Sequence, residues 1–307
     1  MKLPVHYEHG VAMSFGGVPA TSETFKDCQA AILPIPFERT TSYMQGTKNG
    51  PREILQASTQ IELWDEEQSQ DVYDVGVLTL PEMEFPFEDP STSLDEIKRV
   101  SHAVFENKKF LAALGGEHSI TAPIVEAATA SFKNLSVLQI DAHADLRTSY
   151  LGSPFSHACV MRRVLEHAPA TQVGIRSISN EEAKEIPRLP TKIFYDINMR
   201  EDESWIEKII ESLHENVYIT VDCDGLNPGI MPAVGTPEPG GLSWAELLKI
   251  LKTAFERRHI VGVDLVELCP IQGIVAPNVL CAKLIHKILT YRFTNNQGSR
   301  FQTTPNT

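Results

Sequence analysis

The sequence predicts an α/β fold, with three α/β/α layers around a mainly parallel central sheet. Short apolar runs recur along most of the 307 residues, and amphipathic helical patterns separate them. No internal repeat or low-complexity block interrupts this alternation. Parallel neighbours need crossover helices, so the alternation favours a parallel sheet with helices on both faces. We therefore expect a single domain over residues 1–307.

The predicted elements follow in chain order from these patterns. Seven apolar runs are predicted as buried strands, at residues 30–33, 110–114, 135–140, 172–175, 192–195, 217–221 and 260–266. Apolar residues on one face predict helices over 205–213 and 244–255. Capping-box spacing predicts two helix starts, at Ser243 with Glu246 and at Ser93 with Glu96.

The two ends of the chain are predicted as peripheral tails, over residues 1–27 and 295–307. The Asn, Gln, Thr and Ser content of the second segment cannot bury a core. Near the start, His6, Glu8 and His9 stand where a signal peptide would be apolar, and no apolar run is long enough to span a membrane. We therefore expect a cytoplasmic protein that does not insert into a membrane.

Charge and cysteine content exclude further classes of protein. The formal net charge is −13, from 27 Lys+Arg against 40 Asp+Glu. A nucleic-acid surface needs a basic excess, so we expect no nucleic-acid partner. The five cysteines are scattered and form no C-x-x-C pair, which predicts reduced thiols instead of a disulfide framework or a thiolate zinc site.

Ionisable residues follow three of the predicted strands. They are Gly-Gly-Glu-His-Ser at 115–119, Asp-Ala-His-Ala-Asp at 141–145 and Asp-Cys-Asp at 222–224. In extended chain alternate residues project to one side, so Asp141, His143 and Asp145 can converge on one point. Asp222 and Asp224 can do the same. Taken singly, each cluster also suits a solvated loop or a helix cap, but three clusters at the ligand-binding edge of a parallel sheet predict a metal site.

The charges of these clusters predict two divalent cations. Four aspartates and two histidines carry up to four negative charges, too many for one crevice without cations. Oxygen-rich ligation favours hard ions such as Mn²⁺ over zinc, with Fe²⁺, Co²⁺ or Ni²⁺ as alternatives. Two such ions about 3.5 to 4 Å apart can share and ionise one water, which makes metal-assisted hydrolysis the predicted chemistry. Alternation points Cys223 away from them, into the core.

The order of these motifs resembles that of the ureohydrolase family, the arginases and agmatinases. The resemblance extends from about residue 30 to about 289 and includes Ser-His at 156–157, Gly-Thr-Pro at 235–237 and Asp-Leu-Val-Glu at 264–267. It implies an arginase-like fold, two Mn²⁺ per chain, and a homo-oligomer that is a trimer or a hexamer. Three departures remove no implied ligand: Glu117 and Asn227 each replace an aspartate, and Ala-Val at 233–234 replaces Gly-Thr.

The resemblance also implies a role for individual residues. One cation would be held by His118, Asp141, Asp145 and Asp222. The other would be held by Asp141, His143, Asp222 and Asp224, so that Asp141 and Asp222 bridge the two ions.

Further roles concern catalysis and the substrate. Glu267 matches the glutamate that pairs with the substrate guanidinium, and His157 matches a histidine that moves protons. Asp145 is expected to act in catalysis as well as in ligation. Arg147 and Thr236 are further candidates for contact with the substrate.

The predicted reaction is release of urea from a small cationic guanidino compound, with agmatine as the expected substrate and putrescine as the product. An asparagine by which arginases contact the α-carboxylate would lie at Arg147, so the arginase-type loop is missing. Arginine, 4-guanidinobutyrate, guanidine and formiminoglutamate stay open as substrates, and Arg147 would suit the guanidinobutyrate carboxylate if it points inward. An alternative from a different class is a non-catalytic regulator of polyamine metabolism. Such a protein would be expected to have lost a ligand or Glu267, and all seven positions are filled here.

Overall fold

The strands form one sheet in a computed structural model that describes residues 13–17, 25–71, 73–86 and 89–294. They are β1 Ala30–Ile35, β2 Val77–Thr79, β3 Phe110–Gly115, β4 Leu135–Ile140, β5 Ala170–Ile175, β6 Thr191–Tyr195, β7 Asn216–Asp222 and β8 His259–Val266. Their order in the sheet is β2-β1-β3-β8-β7-β4-β5-β6, and every pairing is parallel. The predicted α/β class with a parallel sheet is confirmed.

Seven of these strands coincide with predicted apolar runs. The strands β1, β3, β4 and β5 are buried at every residue, which explains why they are continuously apolar instead of alternating. Strand β2 was not predicted because it has only three residues and pairs with β1 alone, at the edge of the sheet.

Helices cover both faces of the sheet. They are α1 Gly50–Ser58, α2 Pro90–Glu106, α3 Thr121–Ser131, α4 Val160–Val164, α5 Asn180–Glu185, α6 Trp205–Glu211, α7 Trp244–Arg257 and α8 Ala276–Thr294. One cluster of buried apolar side chains contains residues of α1, α6, α7 and α8. A second cluster contains residues of α2, α3 and α4. These two clusters make up the cores on the two sides of the sheet.

The helix starts confirm one capping prediction and correct another. Ser243 caps α7, and Glu246 completes the capping box. The prediction at Ser93 is wrong, because α2 already begins at Pro90 and is capped by the Asp89 carboxylate. Proline suits the first turn of a helix, since its missing N–H would have no partner there. Ser93 therefore lies inside α2 and is buried.

Two aromatic residues of the region predicted as an N-terminal tail pack on the core. Phe15 is buried and its N–H donates to Thr79 Oγ1 at 2.9 Å, and Phe25 is buried as well. Residues 1–12, 18–24 and 295–307 lie outside the described residues. Within the described ranges, none of the helices has both the length and the apolar character needed to cross a membrane.

The sheet order brings the predicted clusters together. Strands β3, β8, β7 and β4 are consecutive neighbours in the middle of the sheet. Because all four are parallel, their carboxyl ends lie along one edge. Residues 115–119, 267, 222–224 and 141–145 lie at or directly after these ends, so residues far apart in the chain become neighbours.

Candidate metal centre and active-site cleft

His118 faces three carboxylates at this edge. Its Nδ1 atom lies 3.1 Å from Asp141 Oδ2, 3.2 Å from Asp222 Oδ2 and 3.4 Å from Asp145 Oδ2. Its Nε2 atom is hydrogen-bonded to Thr220 Oγ1 at 2.8 Å. Among the described atoms, the buried Nδ1 makes no hydrogen bond of its own. A fixed imidazole whose other nitrogen meets carboxylate oxygens has the donor set of a divalent-cation site.

His143 forms a second group beside the first. Its Nδ1 atom lies 3.0 Å from Asp224 Oδ2 and 3.7 Å from Asp141 Oδ1. The two groups that could each hold a cation are His118 with Asp141 and Asp145, and His143 with Asp141 and Asp224. Asp141 is the member they share, and it presents a different oxygen to each histidine. The arrangement is consistent with a binuclear metal site.

Carboxylate oxygens hold the turn after β7 against the end of β4 and fix its own shape. Asp224 Oδ1 accepts a hydrogen bond from the N–H of Ala142 at 3.0 Å, and Asp222 Oδ1 accepts one from the N–H of Asp224 at 2.8 Å. Gly225 passes close to Asp141, where a Cβ atom would lie 2.8 Å from the Asp141 nitrogen. Glycine is needed there because any side chain would push the turn after β7 away from the end of β4.

Cys223 lies between two of the candidate ligands and points away from them. Its Sγ atom is 3.6 Å from Sγ of Cys281, and both residues are fully buried. All five cysteines are free thiols and buried. The predictions of reduced thiols and of a core position for Cys223 are confirmed.

The turn after β4 is held by contacts that the sequence did not predict. Asp145 has a φ of 53°, in the left-handed region that is uncommon for residues other than glycine. The next residue, Leu146, donates its N–H to Glu182 Oε1 at 2.8 Å. Glu182 also forms a capping box with Ser179 at the start of α5. The buried carboxylate of Glu182 thereby joins the start of α5 to the ligand loop, by which we mean residues 141–146 after β4.

The carboxylates make this centre strongly negative. Although burial opposes the charge, hydrogen bonds to Asp141 and Asp224 raise the pKa of His143 to about 12. The neighbouring carboxylates likewise outweigh burial and raise the pKa of His118. Burial, and then the charge of Asp141, raise the pKa of Asp145 to about 6. Divalent cations would relieve this crowding of negative charge, so the residues present fit a pair of them.

Glu267 and His157 lie beside the metal centre. Glu267 Oε1 accepts a hydrogen bond from the N–H of His118 at 2.7 Å and lies 3.7 Å from His157 Nδ1. Burial, with the nearby charges of Glu117 and Asp224, raises the pKa of Glu267 well above its ordinary range. Burial lowers the pKa of His157, whose ring is therefore neutral near pH 7. A cationic partner would favour the charged form of Glu267. The neighbouring His157 is neutral and can accept a proton.

Hydrogen bonds to the Glu117 carboxylate hold the loop after β1 beside the candidate site. Its Oε2 atom accepts from the N–H groups of Arg39 and Thr40, both at 2.6 Å. Its Oε1 atom accepts from the hydroxyls of Thr40 at 2.7 Å and Ser119 at 2.5 Å. Thr40 Oγ1 in turn accepts from the N–H of His157 at 2.9 Å. Sequence reasoning missed this role, because Thr40 and Arg39 lie 77 and 78 residues away from Glu117 in the chain.

A cleft of about 230 Å³ opens onto these residues. Among the residues that line it, Thr236 donates a hydrogen bond from Oγ1 to Asp224 Oδ2 at 3.3 Å. The guanidinium of Arg147 also lines the cleft and lies over the ring of Tyr150, 5.0 Å from its centroid. The predicted candidates all come together at this one edge of the sheet.

Comparison with known proteins decides the family. The sequence model of the arginase family matches residues 28–290. The chain belongs to this family. The N(1)-aminopropylagmatine ureohydrolase of Synechocystis sp. is 39% identical over 276 residues, which cover 87% of this chain and 90% of that protein. The agmatinase of Bacillus anthracis is 31% identical over 253 residues, covering 81% and 86%.

A solved structure supports the same assignment. The agmatine ureohydrolase of Thermoplasma volcanium matches with a TM-score of 0.83 at 32% identity, over 91% of this chain and 94% of that one. The fold is therefore arginase-like, as the motif order implied. This member of the arginase family is a ureohydrolase of a guanidino compound, a hydrolase of linear amidines.

Proposed function

We propose that this ureohydrolase uses two Mn²⁺ ions to release urea from a linear guanidine with a cationic tail, N(1)-aminopropylagmatine or agmatine. The two groups of candidate metal ligands beside Glu267 carry the proposed reaction. The described residues that line the cleft include the carboxylates of Asp145, Glu182, Asp222, Asp224 and Glu267 and the guanidinium of Arg147. Two Mn²⁺ ions would balance the charge of the three ligand aspartates among these carboxylates. The cationic tail is supported by the relatives, whose names give N(1)-aminopropylagmatine and agmatine as their substrates.

The proposal divides the chemistry among the residues of the cleft. The ligands are His118, Asp141, His143, Asp145, Asp222 and Asp224. Two cations held there would lower the pKa of water and supply the nucleophile that attacks the guanidinium carbon. Glu267 binds the planar guanidinium, whose paired donors suit a carboxylate. His157, neutral near pH 7, accepts a proton and returns it to the leaving amine, while Asp145 helps to orient the attacking water.

The relatives favour N(1)-aminopropylagmatine between the two substrates. The Synechocystis protein of that name is 39% identical to this chain, whereas the Bacillus anthracis agmatinase is 31% identical. Agmatine, the substrate expected from the motifs, is the second candidate. The two molecules share the guanidine end and differ only in the tail. We therefore expect lining residues that are not metal ligands, such as Arg147, Tyr150 and Ser179, to discriminate between them.

Measurement of urea release with Mn²⁺ tests the proposal. N(1)-aminopropylagmatine, agmatine, arginine, 4-guanidinobutyrate and guanidine would each be assayed, with metal-free protein as the control. We expect kcat/KM for a cationic-tailed guanidine to exceed that for arginine at least about a hundredfold, or roughly 2.7 kcal/mol of barrier.

Three other outcomes of this assay would contradict parts of the proposal. Arginine hydrolysed as efficiently as agmatine would overturn the substrate class. A preference for 4-guanidinobutyrate that is lost in Arg147→Ala would show that Arg147 binds a carboxylate. Bound Mn²⁺ with no urea release from any substrate would support the non-catalytic regulator instead.

A further inference from the structure

A row of buried polar side chains crosses the sheet just below the metal centre. Gln139 of β4 is in register with Gln172 of β5 on one side and with Thr220 of β7 on the other. Thr220 is in turn in register with Asp264 of β8. All four residues are fully buried in strands that are otherwise mainly apolar. A buried polar group costs free energy unless it is hydrogen-bonded, so this row calls for an explanation.

The two glutamines form a chain of hydrogen bonds that ends on Asp141. Thr191 Oγ1 donates to Gln172 Oε1 at 2.9 Å, and Gln172 Nε2 donates to Gln139 Oε1 at 2.5 Å. Gln139 Nε2 then donates to Asp141 Oδ2 at 2.6 Å. Each amide accepts on its oxygen and donates from its nitrogen, so both amides are oriented in one direction, towards the carboxylate.

The same amides also hold the backbone of the ligand loop. Gln172 Nε2 donates to the carbonyl of Ala144 at 2.7 Å, and Gln139 Nε2 lies 3.4 Å from the carbonyl of His143. The other oxygen of Asp141, Oδ1, accepts from the N–H of His143 at 2.6 Å. Each carboxylate oxygen of Asp141 therefore receives a hydrogen bond from a fixed direction, which prevents rotation of the carboxylate.

We propose that Gln139 and Gln172 are positioning residues, which hold the Asp141 carboxylate so that one of its oxygens faces each of two cations. The inference rests on the proposed two-Mn²⁺ site, in which Asp141 bridges. A bridging carboxylate must keep both oxygens directed at once, and a donor that fixes one of them removes the competing orientations. A lysine or arginine in place of Gln139 would bring a positive charge that competes with the cations. A neutral amide orients the carboxylate and leaves its charge available to them.

The test replaces the donor and keeps the length of the side chain. Gln139→Met removes the hydrogen bond to Asp141, and Leu138→Met is the matched control, because the adjacent buried residue points to the opposite face of β4. Mn²⁺ affinity and stoichiometry would be measured by competition with a chelator, and thermal unfolding would be measured on the metal-free proteins. We expect Gln139→Met to bind Mn²⁺ about ten- to a hundredfold more weakly, and Leu138→Met to bind it as the parent does.

Two further measurements distinguish positioning from a general loss of structure. Gln172→Met should weaken Mn²⁺ binding less than Gln139→Met, because Gln172 acts on Asp141 through Gln139. If Gln139→Met fails to fold, the Gln172→Met variant carries the test alone, with a weakening of at least threefold expected. Excess Mn²⁺ should restore urea release in the variants with the KM for substrate unchanged.

The outcomes separate this inference from the proposed function. Equal Mn²⁺ affinity in Gln139→Met, Gln172→Met and Leu138→Met would overturn the positioning role and leave the proposed function standing. A parent protein that binds no Mn²⁺ would overturn the proposed function itself. Weaker Mn²⁺ binding that only follows a loss of stability in the metal-free variants would also contradict the positioning role.

Discussion

The carboxylate of Glu267 accepts a hydrogen bond of 2.7 Å from the backbone N–H of His118. The contact joins the residue proposed to bind the guanidinium to a residue proposed to hold a cation. It exists because β3 and β8, whose ends carry these two residues, are neighbours in the sheet. The proposed substrate-binding residue and the proposed metal ligand are therefore in direct contact. A substitution of Glu267 that keeps this hydrogen bond can test substrate binding without disturbing metal binding.

Glu267→Gln is such a substitution. The amide oxygen of glutamine can still accept from His118, but the side chain has no charge to pair with a guanidinium. We expect both metal ions to stay bound and kcat/KM to fall at least about a hundredfold, or roughly 2.7 kcal/mol. Metal analysis and urea release would be measured side by side, with the exposed Glu181→Gln as the control. Activity within about tenfold of the parent would rule out the guanidinium role.

Removal of the shared ligand should affect both ions. We expect Asp141→Asn to lose the two ions together, because Asp141 belongs to both groups of candidate ligands. His118→Ala should lose one ion selectively, and urea release should fall in either variant. Metal stoichiometry on the purified proteins checks this. If Asp141→Asn kept both ions and remained within about tenfold of parental activity, about 1.4 kcal/mol, Asp141 would not be a bridge.

Metal binding should depend strongly on pH. In the metal-free protein the carboxylates raise the pKa of His143 to about 12 and raise that of His118 as well, so protons compete with cations for these histidines. Because the pKa of His143 lies far above this range, its ring keeps a proton from about pH 6 to about pH 8 and must release it when a cation binds, which becomes easier as the proton concentration falls. We therefore expect Mn²⁺ affinity to increase from about pH 6 to about pH 8, with release of protons on binding. Calorimetry in buffers of different ionisation enthalpy measures that release, and an affinity that stays flat over this range would contradict the prediction.

Glu117 should act on the site through the loop it holds. Its two oxygens accept four hydrogen bonds, and in Glu117→Gln the amide nitrogen would face donors that it cannot accept from. We expect bound Mn²⁺ to be retained but kcat/KM to fall at least about tenfold, about 1.4 kcal/mol, because Thr40 and with it His157 would shift. Ser119→Ala, which removes one of the four donors, should have a smaller effect. Parental kcat/KM in Glu117→Gln would show that the loop does not depend on this carboxylate.

The ligand set could be predicted from sequence because its members are local. Asp141, His143 and Asp145 follow one strand at alternate positions, and Asp222 with Asp224 follow another, so a short stretch of chain contains most of the geometry. The parallel alternation then predicts that these strand ends share an edge. The sheet order β3-β8-β7-β4, which makes them neighbours, was not predicted by any local pattern.

Functional residues that belong to no local sequence pattern could not be found in this way. His157 and Glu267 each lack a pattern of their own, and only the resemblance to a family indicated them. The hydrogen bond between Gln139 and Gln172 joins residues 33 positions apart, so it follows from strand register and not from any motif. The error at Ser93 has a local origin, because Pro90 supports an earlier helix start than the capping-box spacing indicated.

The left-handed backbone at Asp145 and Glu267, with φ of 53° and 63°, has a consequence for protein engineering. Strain of this kind costs on the order of 1 kcal/mol per residue, and glycine relieves it. A screen that selects for heat resistance alone would therefore favour glycine at these two positions. The glycine variants would lose the proposed metal ligand Asp145 and the proposed guanidinium-binding residue Glu267. Thermostable variants of this enzyme should keep both residues unchanged and gain their stability elsewhere, for example on the exposed faces of the surface helices.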